Sequence, residues 1–179
     1  MMDYMRSQTL LQTLDTWDKQ GIWAFDTARL KMLFEESPGA LQQALLHQTR
    51  AGNITRVARE IYVNPRARSM PAEPLLALVS LMRPFEFSYL SLESVLSDAG
   101  WISQIAQRYT LMSTGRRSVF YTPYGVLEFT HTSRMAGLPE VVFDKSRGIH
   151  VATPERAYTD LRYTKRNTEM VELPEKDAS

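Results

Sequence analysis

The sequence of 179 residues contains no cysteine, only three histidines and no long run of apolar residues. Without thiols the chain has no disulfide or thiolate chemistry, and a zinc site would need the histidines together with carboxylates. The histidines, His47, His131 and His150, are far apart and lack metal-ligand spacing. No segment approaches the roughly 20 apolar residues that a membrane-spanning helix requires. We therefore expect no metal centre, no cofactor and no membrane span.

The first residues are not expected to form an apolar leader, and neither charge is in strong excess. The residues MMDYMRSQTLLQTL include Asp3, Arg6 and two glutamines, which is unlike a signal peptide, so we expect a cytoplasmic location. The net charge is +1, with 44% hydrophobic and 23% charged residues, an ordinary globular balance. Any affinity for nucleic acid must therefore come from a local patch of positive charge.

Such a patch is present in the stretch ITRVAREIYVNPRAR, residues 54–68. Between residues 26 and 68 there are seven lysines or arginines and four acids, whereas acids are in slight excess from residue 69 onward. This asymmetry predicts a basic N-terminal module followed by a module of a different kind. The stretch contains one acid, Glu60, and four cations, which are Arg56, Arg59, Arg66 and Arg68.

The N-terminal part has the pattern of alternating helices and short strands. Leucines at helical spacing predict a helix over residues 8–19 and the apolar run IWAF predicts a strand over 22–25. Asp26 or Thr27 then caps a second helix. The inward face of this second helix is predicted to consist of Leu30, Leu33 and Phe34.

A third helix and a hairpin follow. Ser37 as N-cap and Pro38 in the first helical position predict a helix that runs to about Arg50. The β-prone runs ITRV and EIYV, joined across Ala58 and Arg59, predict a β-hairpin. Helix, strand, helix, turn, helix and hairpin is the order of a winged helix-turn-helix, in which a helix enters the DNA major groove beside a projecting hairpin.

The arginines and the third helix are the candidate DNA-contacting groups. Arg59 is predicted at the hairpin tip, Arg56 before it, and Arg66 and Arg68 at its base, where guanidinium groups can pair with phosphates. Two other interpretations of the arginine cluster remain open, which are a solvated face and a surface that binds an acidic protein. The apolar side of this helix is predicted to consist of Ala40 or Leu41, Ala44 and Leu45. The residues that lie largely elsewhere are Gln42, Gln43, Leu46, His47 and Arg50. Gln42 and Gln43 can pair with adenine, while His47 and Arg50 can reach phosphates or bases; the glutamines are also good solvated helix formers.

The second half reads as mixed α and β. Its predicted elements are a helix over residues 75–82, a strand and a Ser91-capped helix, a hairpin around 113–115, a third strand over 124–132, two strands around 146–148, and a closing helix capped by Thr153. The predicted fold class is α+β. The predicted domains are a winged helix-turn-helix over 1–66, a linker over 67–73, a mixed α/β domain over 74–165 and a frayed acidic tail over 166–179.

Three segments give the chain a family resemblance. These are RVAREIYVNP, then SYLSLESVLSDAGWI, then GIHVATPERAYTDL. In this order and spacing the chain resembles the AbiEi-type antitoxins of bacterial type IV toxin-antitoxin, or abortive infection, systems. The family often has Arg-Gly at the wing turn, where this chain has Arg59-Glu60. A turn that needs a positive φ is less favourable without the glycine.

The resemblance implies two activities for the chain. The winged helix would bind operator DNA and repress the protein's own operon. The C-terminal domain would counteract an AbiEii-type toxin, which is similar to nucleotidyltransferases and need not form a stable complex with the antitoxin. The alternative is a nucleic-acid-processing enzyme, or another DNA-binding regulator, that uses the winged helix only for docking.

We expect no enzymatic activity. Asp144, Lys145, Glu155 and Arg156 resemble the residue set of a metal-dependent nuclease, but their spacing is wrong. A triad from His131 or His150 with Ser133 or Ser146 lacks the glycine pattern of a nucleophile elbow. The turn STGRRS could hold a phosphate, although a hairpin turn also accounts for its composition. Arg116 and Arg117 are the best C-terminal candidates for contacting an acidic partner or nucleic acid. The aromatic residues Tyr89, Trp101, Phe120, Tyr121 and Tyr124 are expected in the core and sheet.

Overall fold

In a computed structural model that describes residues 6–34, 36–133 and 137–174, the chain is a mixed α+β protein with helices and two separate β-sheets. The α+β class expected from the sequence is confirmed. Contacts within the chain divide it into two compact units, Met1–Pro74 and Leu75–Ser179. Among the described residues, no helix is both long enough and apolar enough to cross a membrane.

The first unit combines helices with a small sheet. In chain order its elements are α1 (Ser7–Lys19), β1 (Ala24–Asp26), α2 (Thr27–Leu33), α3 (Pro38–Arg50), β2 (Thr55–Ala58) and β3 (Ile61–Val63). The strands are antiparallel in the order β1-β3-β2. The last strand therefore lies between the two others, and the hairpin β2–β3 is joined to the short strand that precedes α2.

Side-chain caps fix the starts of α2 and α3, as the sequence predicts. The Asp26 carboxylate accepts a hydrogen bond of 2.7 Å from the backbone N–H of Arg29. The Ser37 hydroxyl accepts one of 3.3 Å from the backbone N–H of Ala40, and Pro38 occupies the first turn. These contacts satisfy N–H groups that have no partner inside the helix.

The core of the first unit differs from expectation at Leu33 and also contains a polar residue, Gln48. Leu33, predicted to face inward, is 45% exposed, because α2 ends there and Phe34, in extended backbone, is buried instead. Gln48 is buried on α3, and its side-chain oxygen accepts hydrogen bonds from Ser7 and Asn53 at 3.2 and 2.7 Å. The apolar members of this core are Leu10, Leu14, Phe25, Leu30, Phe34, Leu41, Leu45, Ile54 and Tyr62.

The second unit is built on a six-stranded sheet. In chain order the elements are α4 (Pro74–Ala77), α5 (Val79–Met82), β4 (Ser88–Leu90), α6 (Leu92–Asp98), β5 (Tyr109–Ser113), β6 (Ser118–Thr122), β7 (Gly125–His131), β8 (Val141–Asp144), β9 (Ile149–Ala152) and α7 (Pro154–Tyr163). The strand order is β6-β7-β5-β4-β9-β8. The hairpin predicted around residues 146–148 is confirmed as β8–β9, and Thr153 caps α7 through the backbone N–H of Arg156.

The hairpin predicted between β5 and β6 is wrong, because β7 lies between these strands. β7 pairs parallel with β5 and antiparallel with β6, with Thr122 opposite Gly125. The tighter turn at residues 123–124 therefore makes the hairpin. Gly125 has a φ of 127°, a value that favours glycine, and its carbonyl accepts a hydrogen bond of 2.8 Å from the Thr122 hydroxyl.

Two smaller predictions in this unit also need correction. The helix expected over 75–82 is two short helices, α4 and α5, separated at Leu78. Ser91 stands at the N-cap of α6, but its hydroxyl donates to Asp160 instead of accepting from the helix. Tyr121 lies in the sheet, as expected, and is 78% exposed on the edge strand β6.

The segment after α7 packs on the second unit as far as Glu172, which differs from the expected frayed tail. Arg166 lies 2.6 Å from Glu93 and 2.6 Å from Glu128. The backbone N–H of Glu172 donates to the carbonyl of Trp101 at 2.8 Å. Between these anchors, Met170 and Val171 pack against the core. The last part of the predicted tail, residues 175–179, lies outside the described residues.

Candidate nucleic-acid interface

The β2–β3 hairpin turns at Arg59 and Glu60, one residue later than the sequence predicted. Ala58 pairs with Ile61, and a register shift lies between Arg56 and Ala58. Glu60 has a φ of 63°, in the left-handed region that favours glycine. The Glu60 carbonyl accepts hydrogen bonds from the backbone N–H and the hydroxyl of Thr27, at 2.9 and 3.2 Å. Thr27, at the start of α2, therefore holds the turn in this conformation.

The two arginines of the hairpin are exposed. The Arg59 side chain is 88% exposed, and its Nε lies 3.9 Å from the Glu60 carboxylate, whose side chain is 67% exposed. Arg56 is also exposed, and its Nε donates to the carbonyl of Ala58 at 3.3 Å. An ion pair this long and this exposed holds Arg59 only weakly. Both guanidinium groups are therefore available to an anionic partner.

Helix α3 exposes most of its polar residues to solvent, although Gln48 is buried. Leu41 and Leu45 are buried, at 3% and 4% exposure, and fix which side of the helix faces the core. The exposed residues of the remaining surface include all four predicted contact residues and one leucine: Gln42, Gln43, Leu46, His47 and Arg50.

A groove of about 470 Å³ brings the helix and the hairpin together within the first unit. Gln42 and Gln43 from α3 line the same groove as Arg56 and Arg59 from the hairpin. The groove thus places hydrogen-bonding amides beside two cations. The other lining residues are Thr27, Pro38, Leu41, Leu45, Leu46, Thr49, Glu60 and Tyr62.

Arg66 and Arg68 follow β3 at the end of the strand opposite the turn, and both are exposed. Neither is among the described residues that line the groove. The segment that carries them is held by Asp18, which accepts from the backbone N–H groups of Arg68 and Ser69, each at 2.9 Å, and from the Ser69 hydroxyl at 2.6 Å. The Ser69 hydroxyl, followed by the two N–H groups, holds the pKa of Asp18 below its usual range.

In the second unit, Arg116 and Arg117 are exposed in the loop between β5 and β6. This loop is not the hairpin turn expected for STGRRS. Its Gly115 packs so closely on Arg83 and Glu86 that a Cβ would overlap their side chains. Arg83 pairs with Glu86, donates to the Arg116 carbonyl at 2.8 Å, and places its guanidinium 4.2 Å from the centre of the Phe129 ring. The sequence analysis did not identify Arg83 as part of these contacts. The close packing explains why residue 115 is a glycine.

Several of the residues considered for catalysis have structural contacts. The Asp144 carboxylate accepts from the backbone N–H of Ser146 at 2.8 Å, which shapes the β8–β9 turn. Glu155 lies in the first turn of α7, and Arg156 is buried 2.6 Å from Asp160. In the described part of the chain, no three or more His, Asp or Glu side chains are grouped so that they could hold a metal ion.

The comparisons with known proteins leave the family open. No protein-family model matches the chain, and no curated protein is significantly similar to it.

Proposed function

We propose that the first unit is a winged helix-turn-helix that binds double-stranded operator DNA. The observation that carries this proposal is the groove that Gln42 and Gln43 share with Arg56 and Arg59. A helix that reads base edges needs amide or guanidinium groups on its exposed face, and a wing needs cations that reach phosphates. In this reading α3 enters the major groove and the β2–β3 hairpin lies against the sugar-phosphate backbone.

The order of the elements supports the same proposal. A helix, a strand, two helices joined by a short turn and a two-stranded hairpin follow one another, and the first strand pairs with the second strand of the hairpin. His47 and Arg50, exposed further along α3, extend the face toward phosphates. Arg66 and Arg68, outside the groove, add positive charge near the hairpin base.

We further propose that the chain is a type IV antitoxin that represses its own operon and counteracts an AbiEii-type, nucleotidyltransferase-like toxin. The support for this second part is the resemblance of three ordered segments to AbiEi-type antitoxins. Two of these segments meet in the core of the second unit, where Tyr89 and Ser91 contact Asp160. Arg116 and Arg117 are exposed and remain the proposed partner-binding residues.

Two experiments test these parts separately. Operator binding is measured by fluorescence anisotropy on duplex DNA from upstream of the protein's own reading frame, with a coding-region duplex of equal length as control. We expect the upstream duplex to bind at least tenfold more tightly, and equal affinities would contradict operator recognition. Antitoxin activity is measured as rescue of growth when the adjacent gene is induced, and failure to rescue would contradict that part alone.

A further inference from the structure

Leu46 occupies an unusual place on α3. It is 45% exposed, although its neighbours on the buried side, Leu41 and Leu45, are nearly inaccessible. Single exposed leucines are common on protein surfaces and usually need no explanation. Leu33, which is also 45% exposed, is of this kind, since it does not line the groove between α3 and the hairpin. Leu46 does line that groove.

The groove that Leu46 lines contains polar and charged side chains beside the apolar Pro38, Leu41, Leu45 and Tyr62. Gln42 and Gln43 lie four and three residues before it, which places all three side chains on one helix face. Across the groove stand the cations Arg56 and Arg59. An exposed apolar side chain beside amides and cations is complementary to a polyanion that also carries an apolar group. In the major groove of DNA that group is the C5-methyl of thymine.

We propose that Leu46 reads the methyl group of a thymine close to the base that Gln42 or Gln43 contacts. This inference rests on the proposed function, because it requires α3 to enter the major groove. Glutamine pairs best with adenine, so the predicted target is an adenine and a thymine near each other. Four residues of helix rise by about 6 Å and successive bases by about 3.4 Å, so the two bases lie within about two base pairs.

The test removes the methyl group without changing base pairing. The protected site in the upstream duplex is first found by footprinting, and duplexes are then made with deoxyuridine in place of one thymidine at a time. Affinities are measured for the wild-type chain, for Leu46→Ala and for Leu33→Ala. Leu33→Ala is the matched control, since it removes an equally exposed leucine that does not line the groove.

We expect deoxyuridine at one or two positions to weaken wild-type binding by about three- to fivefold, the effect of one apolar carbon. Leu46→Ala is expected to bind the thymidine and deoxyuridine duplexes equally, whereas Leu33→Ala behaves as wild type. If the wild-type chain is insensitive at every thymidine, or if Leu46→Ala keeps the full sensitivity, the inference fails while operator binding stands. If the upstream DNA shows no protected site, both the inference and the proposed operator binding fail.

Discussion

The hydroxyl of Tyr89 on β4 donates a hydrogen bond of 2.9 Å to the carboxylate of Asp160 on α7, and both side chains are fully buried. Ser91 donates to the same oxygen at 2.9 Å, and Arg156 lies 2.6 Å from the other one. Burial, and next the charge of Asp160, raise the pKa of Tyr89, so its phenol stays protonated and able to donate. One carboxylate therefore joins the segment SYLSLES to the helix that begins with PERAY.

This network predicts a ranked loss of stability. Tyr89→Phe should lower the free energy of unfolding by about 1–2 kcal/mol, since Asp160 keeps its other partners. Asp160→Ala should lower it by about 3–5 kcal/mol, because Arg156 is left buried without its carboxylate. Urea unfolding followed by circular dichroism measures both. Tyr121→Phe removes the hydroxyl of a tyrosine that is 78% exposed and should change nothing; an equal effect of Tyr89→Phe and Tyr121→Phe would refute the role of the network.

The exposed arginines of the hairpin predict a salt-dependent effect on DNA binding. Arg56→Ala and Arg59→Ala should each weaken binding and reduce the slope of log affinity against log salt by about 0.9, the value for one phosphate contact. The measurement is a salt titration of binding to the upstream duplex. Arg162→Ala removes the same charge from an exposed position in the second unit and should leave the slope unchanged. Unchanged slopes for both hairpin variants would rule out phosphate contacts by the wing.

The glutamines of α3 predict a loss of sequence discrimination. Gln42→Ala or Gln43→Ala should cost about 1–3 kcal/mol on the operator if the contact with adenine is bidentate, with little loss on unrelated DNA. The measurement compares affinities for the upstream and coding-region duplexes. Gln12→Ala, on the exposed side of α1, serves as the control. Equal losses on the two duplexes would mean that the glutamines do not read bases.

Glu60 at the hairpin turn predicts separable effects of strain and charge. Glu60→Gly relieves a non-glycine residue held at a φ of 63° and should raise stability by up to about 1 kcal/mol. Glu60→Gln keeps the backbone strain but removes the negative charge. Both variants should bind DNA more tightly than the wild type, since an acid beside Arg59 repels phosphate. If Glu60→Gln binds DNA no better, Glu60 does not lie near the DNA backbone.

The buried carboxylate of Glu128 predicts a dependence of stability on pH. Burial raises the pKa of Glu128, but the hydrogen bonds and charges of Arg166 and Arg108 outweigh it and bring the pKa below its usual range. A lowered folded-state pKa means that the stabilisation is complete above the ordinary glutamate pKa of about 4.3 and is lost as the pH falls below it.

Glu128→Gln should therefore be less stable than the wild type at pH 7, by about 1.5–3 kcal/mol for a hydrogen-bonded charge. The difference should shrink as the pH falls toward 3. Urea unfolding at several pH values measures it. A difference that stays constant between pH 7 and 3 would show that the charge of Glu128 contributes nothing.

The sequence was a good guide wherever a few neighbouring residues carry the signal. Ser37-Pro38 and Thr153-Pro154 predicted helix starts because an N-cap bond joins residues three apart. The hairpin β2–β3 was predicted because its strands are joined by a short turn. Its exact turn was shifted by one residue, because Thr27, far away in sequence, holds Glu60 in place.

Predictions from the sequence were wrong where a strand or a side chain contacts a partner that is distant in the chain. Nothing in the run RYTLMSTGRRSVFYT indicates that β7 lies between its two strands, since pairing depends on which edges compete for β5. The contacts of Arg166 with Glu93 and Glu128 span 73 and 38 residues. No pattern within one helix or strand predicts them, so the segment after α7 was expected to fray.

By itself, then, the amino-acid sequence determined the α+β class, most helix starts and the identity of the candidate DNA-contacting residues. These depend on local hydrogen bonds, on periodicity and on the chemistry of single side chains. Only the tertiary structure decided that Gln42, Gln43, Arg56 and Arg59 line one groove, and that Arg66 and Arg68 do not. Which side chains share a surface depends on how α3 and the hairpin pack on a common core, and packing joins residues that are far apart in the chain.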